Sequence, residues 1–134
     1  MHNIVNNITT ITKELSAINS NTKIIAVSKT FNMDFIKPLV DHGHVDFGEN
    51  KVQEAINKWT EIKEKNSTIK LHLIGKLQTN KVKFCLPLFD YIHSLDNFKL
   101  ADKVANEQVK KNFKPKIFIQ VNVGDEAQKS GVIL

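Results

Sequence analysis

Arginine is absent: all nineteen basic residues of this 134-residue chain are lysines. The planar fork that grips phosphate through two parallel hydrogen bonds is therefore missing. So is any arginine-rich arm for nucleic acid, and no zinc spacing or aromatic stacking motif replaces it. Cysteine occurs once, as Cys85, so no internal disulfide can form. A reducing compartment, most simply the cytoplasm, is the expected setting. No apolar run approaches the roughly 18–20 residues that span a bilayer. The N-terminus, MHNIVNNITTITKEL, lacks the basic region and continuous apolar core of a secretory signal. No Gly-x-Ser-x-Gly elbow supports serine catalysis, and no P-loop spacing is found.

What is present is ordinary for a soluble globular protein: 41% apolar and 25% charged residues. The length argues for one domain over residues 1–134. The net charge of +5 is spread over scattered lysines, with Lys110–Lys111 the one adjacent pair. It reads as a solvated surface rather than a nucleic-acid face.

Two apolar periods alternate along the chain. Helical stripes run over residues 3–18 (Ile4, Ile8, Ile11, Leu15, Ile18), 49–65 and 97–112, the last with Leu100, Val104 and Val109 on one side, and residues 33–42 and 79–84 also read as helices, the latter short and closed near Pro87. Asp34 is placed to open the second helix, Gly43 to stop it, and Pro38 to kink it. Short apolar runs at 24–27, 45–48, 71–75, 91–95 and 116–123 read as strands, the first as one buried on both faces. Strands alternating with helices predict an α/β fold with a parallel sheet. Five strands form either an open doubly wound sheet or the front of a (β/α)8 barrel, which needs about 200–250 residues in full. The tail from Gly124 reads as a loop that opens another helix.

Four segments could carry chemistry. Lys29 follows a buried strand, where α/β folds place their functional mouth. Partial desolvation there would make its amine a better nucleophile toward a carbonyl. The alternative is a lysine that leaves the sheet for solvent. Phe47-Gly48-Glu49-Asn50 ends the next strand, and Asn50 could point to the same mouth; Glu49 or Asn50 could instead cap the helix that follows. Gly75 through Lys81 could cradle an anion or simply start a helix. Gln120 and Asn122 could line a barrel mouth or face solvent. The histidines at 42, 44, 72 and 93 show no organisation, so no metal site is expected. Cys85 reads as a small core residue.

Taken in order, these blocks form one series: AVSKT at 26–30, FGEN at 47–50 with VQEA at 52–55, HLIG at 72–75 with LQTNK at 77–81, HSLD at 93–96, QVNV at 120–123 and KSG at 129–131. The series resembles the pyridoxal phosphate homeostasis protein family over essentially the whole chain. The resemblance implies a fold like the alanine racemase N-terminal domain, a (β/α)8 TIM barrel. Here it would be a partial barrel of five of the eight units, preceded by an N-terminal helix. It implies pyridoxal 5′-phosphate (PLP) as cofactor, held by Lys29 as a Schiff base. Asn50 would lie beside the pocket, and Lys129 would help handle the cofactor outside the main site.

The implied role is to bind, buffer and deliver PLP to apo PLP-dependent enzymes, without turnover. A racemase-type enzyme using Lys29 as acid/base, or a truncated remnant without function, are the alternatives. Family chains are longer. The resemblance therefore implies that the last three strands and the Ser/Gly-rich and Arg-Gly phosphate cradle are absent here, and that a separate C-terminal fragment could be a partner. Val45-Asp46 and Leu71 depart from the family pattern.

Overall fold

The computed structural model describes residues 3–134. The elements in order are α1 (Asn3–Ala17), β1 (Ala26–Val27), α2 (Met33–His42), β2 (Asp46–Glu49), α3 (Val52–Lys65), β3 (Lys70–Leu73), a 3-10 turn (Thr79–Lys81) running into α4 (Val82–Cys85), β4 (Tyr91–Leu95), α5 (Phe98–Lys111), β5 (Lys116–Ile119), β6 (Val121–Asn122) and β7 (Val132–Ile133).

Local chemistry sets the helix ends. The side chain of Asn32 caps α2 by accepting the Phe35 amide, and Gly43 closes it at φ +96°. Pro38 falls inside α2 and removes one backbone donor without ending the helix. Asn97 caps α5 by accepting the Leu100 amide at 2.8 Å, and Asn112 ends it in the left-handed region. On α5 the expected inward residue Val109 is 83% exposed, while Glu107 is buried. The helix faces the sheet through Leu100 and Val104, and Val109 has rotated off that stripe. On α1, Val5 and Ile8 are buried, Ile11 is largely exposed and Ile18 lies past the helix end.

All pairings in the main sheet are parallel, in the order β1-β2-β3-β4-β5. This order settles what the periodicity left open. A doubly wound sheet reverses its strand order at a switch point, whereas here every strand lies beside its predecessor. Successive right-handed crossovers then put the helices on one side and curl the sheet toward a barrel. The fold is a partial TIM barrel with an N-terminal helix.

Side chains alternate across this sheet. Phe47, Leu71, Leu73 and Ile92 join Ile36, Ala55, Trp59, Val82, Cys85 and Leu100 in the core between sheet and helices. Cys85 is fully buried, as expected, and burial pushes its thiol up to about 12. The opposite face carries Val27, Asp46, Gly48, His72, Tyr91, His93 and Phe118. Val27 and Phe118 on that inner face are about half exposed.

Two strand expectations need correction. The first strand is reduced to Ala26–Val27 and is not buried on both faces, because β1 is an edge that pairs with β2 alone. The run over 116–123 is two strands, not one. β5 joins the main sheet, and β6 pairs in parallel with β7 from the tail, which forms no helix. Asn122 drives that change. Its Nδ2 donates to the Glu126 carbonyl at 2.7 Å and its Oδ1 accepts the Glu126 amide, folding the tail back on the strand end.

Candidate functional site

Lys29 sits in the turn after β1, and that turn is fastened on several sides. The Ser28 amide donates to the Gly48 carbonyl at 2.9 Å. Its Oγ donates to Glu49 Oε2 at 2.5 Å. Its carbonyl accepts Lys58 Nζ at 2.6 Å. On the far side of Lys29, the Thr30 amide donates to Glu54 Oε1 at 2.6 Å. Thr30 holds φ +68°, a left-handed conformation that is unusual for a β-branched residue. Such a conformation costs on the order of 1–3 kcal/mol and persists only where its surroundings enforce it. Lys29 itself is exposed, and its ammonium has no hydrogen-bond or ion-pair partner among the described residues. The partial desolvation expected for it is not found, because it leaves a two-residue edge strand.

Beneath the turn lies Glu49, with no exposed surface. One carboxylate oxygen, Oε2, takes three donors: Ser28 Oγ, Trp59 Nε1 at 3.1 Å and Lys58 Nζ at 2.9 Å. The other, Oε1, is buried without a partner. Lys58 also approaches Glu54 at 3.5 Å, one turn earlier on α3. Sequence reasoning treated Glu49 as ordinary turn chemistry. The available signal was its parity: on β2 it shares the helix-facing side with Phe47, where a charge needs a buried partner.

Asn50 is half-buried, and its side chain has no hydrogen bond among the described residues. Neither it nor Glu49 caps α3, whose N-cap is Lys51 with no side-chain bond. Asn50, Lys51, Gly75, Lys76 and Lys81 line an open cleft of 480 Å3, but Lys29 does not. Gly75 is required for the close approach of the two strand ends. A Cβ there would stand 2.6 Å from the Asn50 carbonyl oxygen. Gly75→Ala is expected to push the β2–α3 turn outward at a cost of about 1–3 kcal/mol, read as a lower urea midpoint. The segment from Gly75 to Lys81 begins a 3-10 turn at Thr79 without a side-chain cap. Lys129 is exposed in the tail loop.

The histidines are organised after all. On the inner face His72 Nε2 meets Asp46 Oδ1 at 2.8 Å, and His72 Nδ1 meets His93 Nε2 at 2.9 Å. With Asp46 accepting, His72 donates from Nε2 and accepts at Nδ1 from His93 Nε2–H. Tyr91 stacks on His72 with centroids 4.1 Å apart, Phe118 stacks on His93 at 4.6 Å, and Lys116 lies over Tyr91. Parallel register made the chain: Gly48 pairs with His72 and His72 with Tyr91, so residues distant in sequence share one face.

Burial, and secondarily the neighbouring His72, holds His93 below the ordinary value of 6.5. Burial does the same to His44, partly offset by its hydrogen bond to the Asp46 carbonyl. A histidine depressed in the folded state binds protons more readily when unfolded, so stability is lost as pH falls from 6.5 toward the folded value. The melting temperature should therefore drop between about pH 7 and about pH 5.5. His93→Phe should flatten that slope, and an unchanged slope would contradict the assignment. Among the described residues, no group of three or more His, Cys, Asp or Glu is placed to hold a metal, and no helix is long and apolar enough to cross a membrane.

The fold and the turn together define a barrel-type α/β protein with an exposed, unpartnered amine at the carboxyl edge of its parallel sheet. The chain belongs to the alanine racemase N-terminal domain family, which matches residues 1–133.

Within that family the relatives are pyridoxal phosphate homeostasis proteins. The chain is 41% identical over 111 residues to that of Pasteurella multocida, covering 82% of this chain and 47% of that protein. To that of Aquifex aeolicus it is 39% identical over 110 residues, again covering 82% and 47%. The chain thus spans about half the length of the curated relatives it matches. Among solved structures, PipY of Synechococcus elongatus with PLP bound superposes with a TM-score of 0.74 at 32% identity, over 90% of this chain and 57% of that one. PipY without PLP gives 0.77 at 34%, with the same coverage.

Proposed function

We propose that this chain binds PLP in a homeostatic role, holding it as a reversible Schiff base on Lys29 rather than turning over a substrate. The observation that carries the reading is the unpartnered Lys29 amine on a turn fastened at both neighbours. When bound, PLP supplies an aldehyde that condenses with a lysine amine, releasing water, and is freed again by hydrolysis. Lys29 contributes the nucleophilic nitrogen. Ser28 and Thr30 contribute the fixed backbone around it. Asn50 lies at the next strand end as a ligand for a polar group, and Lys129 is a second, exposed amine for transient handling.

On this reading residues 1–134 act as one domain in the cytoplasm, where the single free thiol of Cys85 stays reduced. Apo PLP-dependent enzymes are the recipients. The phosphate contacts come from a C-terminal segment equivalent to the half of the relatives that this chain does not span, and the exposed Phe118 and Ile119 support such a contact.

The test is a titration of the full chain with PLP, followed by borohydride reduction and peptide mapping. A saturable long-wavelength band with the label on Lys29 is expected. Weak, equal labelling of many lysines would overturn the reading.

A further inference from the structure

We infer that Glu54 and Lys58, two residues of α3 that bond the backbone beside Lys29 rather than its amine, are positioning residues that clamp its turn in a binding-competent shape. The inference rests on the Lys29 reading for its functional consequence, and on geometry alone for the clamp. Lys58 holds the carbonyl before Lys29, and Glu54 holds the amide after it. The two are one helical turn apart and 3.5 Å from each other, so α3 presents a matched cation and acceptor to the two peptide groups that flank Lys29.

Three further facts make this a device rather than a chance contact. Lys58 is anchored from below by the fully buried Glu49, so the cation cannot swing away freely. Thr30 is held in a backbone region that threonine avoids, and the bond from its amide to Glu54 adds to the 3.3 Å bond from the Phe31 amide to the Ser28 carbonyl that closes the turn. The long side chain of Lys29 is free, so the direction of its Cα–Cβ bond is the part of its geometry that the fold fixes. That direction is set by the two clamped peptides. A pre-set exit direction lowers the ordering cost of capturing a ligand.

Amide exchange in the PLP-free protein tests the clamp without reference to the cofactor. The Thr30 amide should be protected in the wild-type chain, exposed in Glu54→Ala, and protected again in Glu54→Gln, whose amide oxygen still accepts. PLP binding by the same proteins tests the consequence. Glu54→Ala should weaken binding about tenfold while its melting curve stays near wild type, and Glu54→Gln should bind as wild type does. Replacing Thr30 by glycine in the Glu54→Ala protein should recover part of the loss, since glycine adopts φ +68° without being held there.

Unprotected Thr30 in the wild type, or Glu54→Ala binding as tightly as wild type with label on Lys29, overturns the clamp. Absence of specific label on Lys29 in the wild type overturns the Lys29 reading instead, and leaves the exchange result to decide the clamp.

Discussion

Lys29→Ala should lose the saturable PLP band and the borohydride label, while its melting curve stays within about 0.5 kcal/mol of wild type, as for an exposed residue. The chain offers nineteen lysines to an aldehyde, and each exposed amine condenses weakly. Several lysines have free ammonium groups, and what separates Lys29 from them is mechanical: the peptides on either side of it are held by Lys58 and Glu54. An amine whose exit direction is fixed forms the same bond with less loss of freedom. Whatever uptake the other lysines of Lys29→Ala retain should be at least tenfold weaker, about 1.4 kcal/mol. Lys76→Ala, in the neighbouring cleft, should leave the band in place. If Lys76→Ala and Lys29→Ala weaken binding equally, general lysine chemistry explains the uptake and the turn has no special role.

Lys58→Met should be the costliest single replacement for stability, at about 3–5 kcal/mol, because it leaves a buried charge unpaired. Glu49 has no exposed surface, and among the described residues Lys58 is the one cation within ion-pair distance of it. Methionine fills the same space but leaves the carboxylate with only the Ser28 hydroxyl and the Trp59 indole. Against a typical total of about 5–15 kcal/mol, this is a large share of the fold. The double variant Glu49→Gln/Lys58→Met should recover much of the loss, since a neutral amide needs no counter-charge. Urea denaturation of the four proteins reads the coupling directly. A Lys58→Met midpoint equal to wild type would mean that the pair contributes nothing.

The uncovered inner face links these residues to the rest of the molecule. Val27 and Phe118 are about half exposed, next to the part-buried Asp46–His72–His93 chain. A closed barrel would bury such a face, and the chain spans about half of its relatives.

The sequence by itself determined a good deal. Apolar spacing located the three long helices α1, α3 and α5, because amphipathic helices of this length are set by local period and local caps. Asn32, Gly43 and Asn97 act on neighbours within a few residues. The blocks around Lys29, Gly48 and Gly75 pointed to the family because they lie in a fixed order at successive strand ends, which a linear sequence displays directly.

Tertiary structure alone decided three things. Strand order chose a barrel over a doubly wound sheet, since a crossover gives no local signal of which neighbour its next strand will join. Register assembled Asp46, His72 and His93 on one face, though in sequence they are scattered singletons. And α3 docked so that Glu54, Lys58 and Trp59 reach back to the Lys29 turn and to Glu49, contacts between residues ten to thirty positions apart. Local propensity fixes which residues form an element and which face is apolar. The partner of a buried charge is fixed only by how elements pack, because its energy depends on what else is excluded from water beside it.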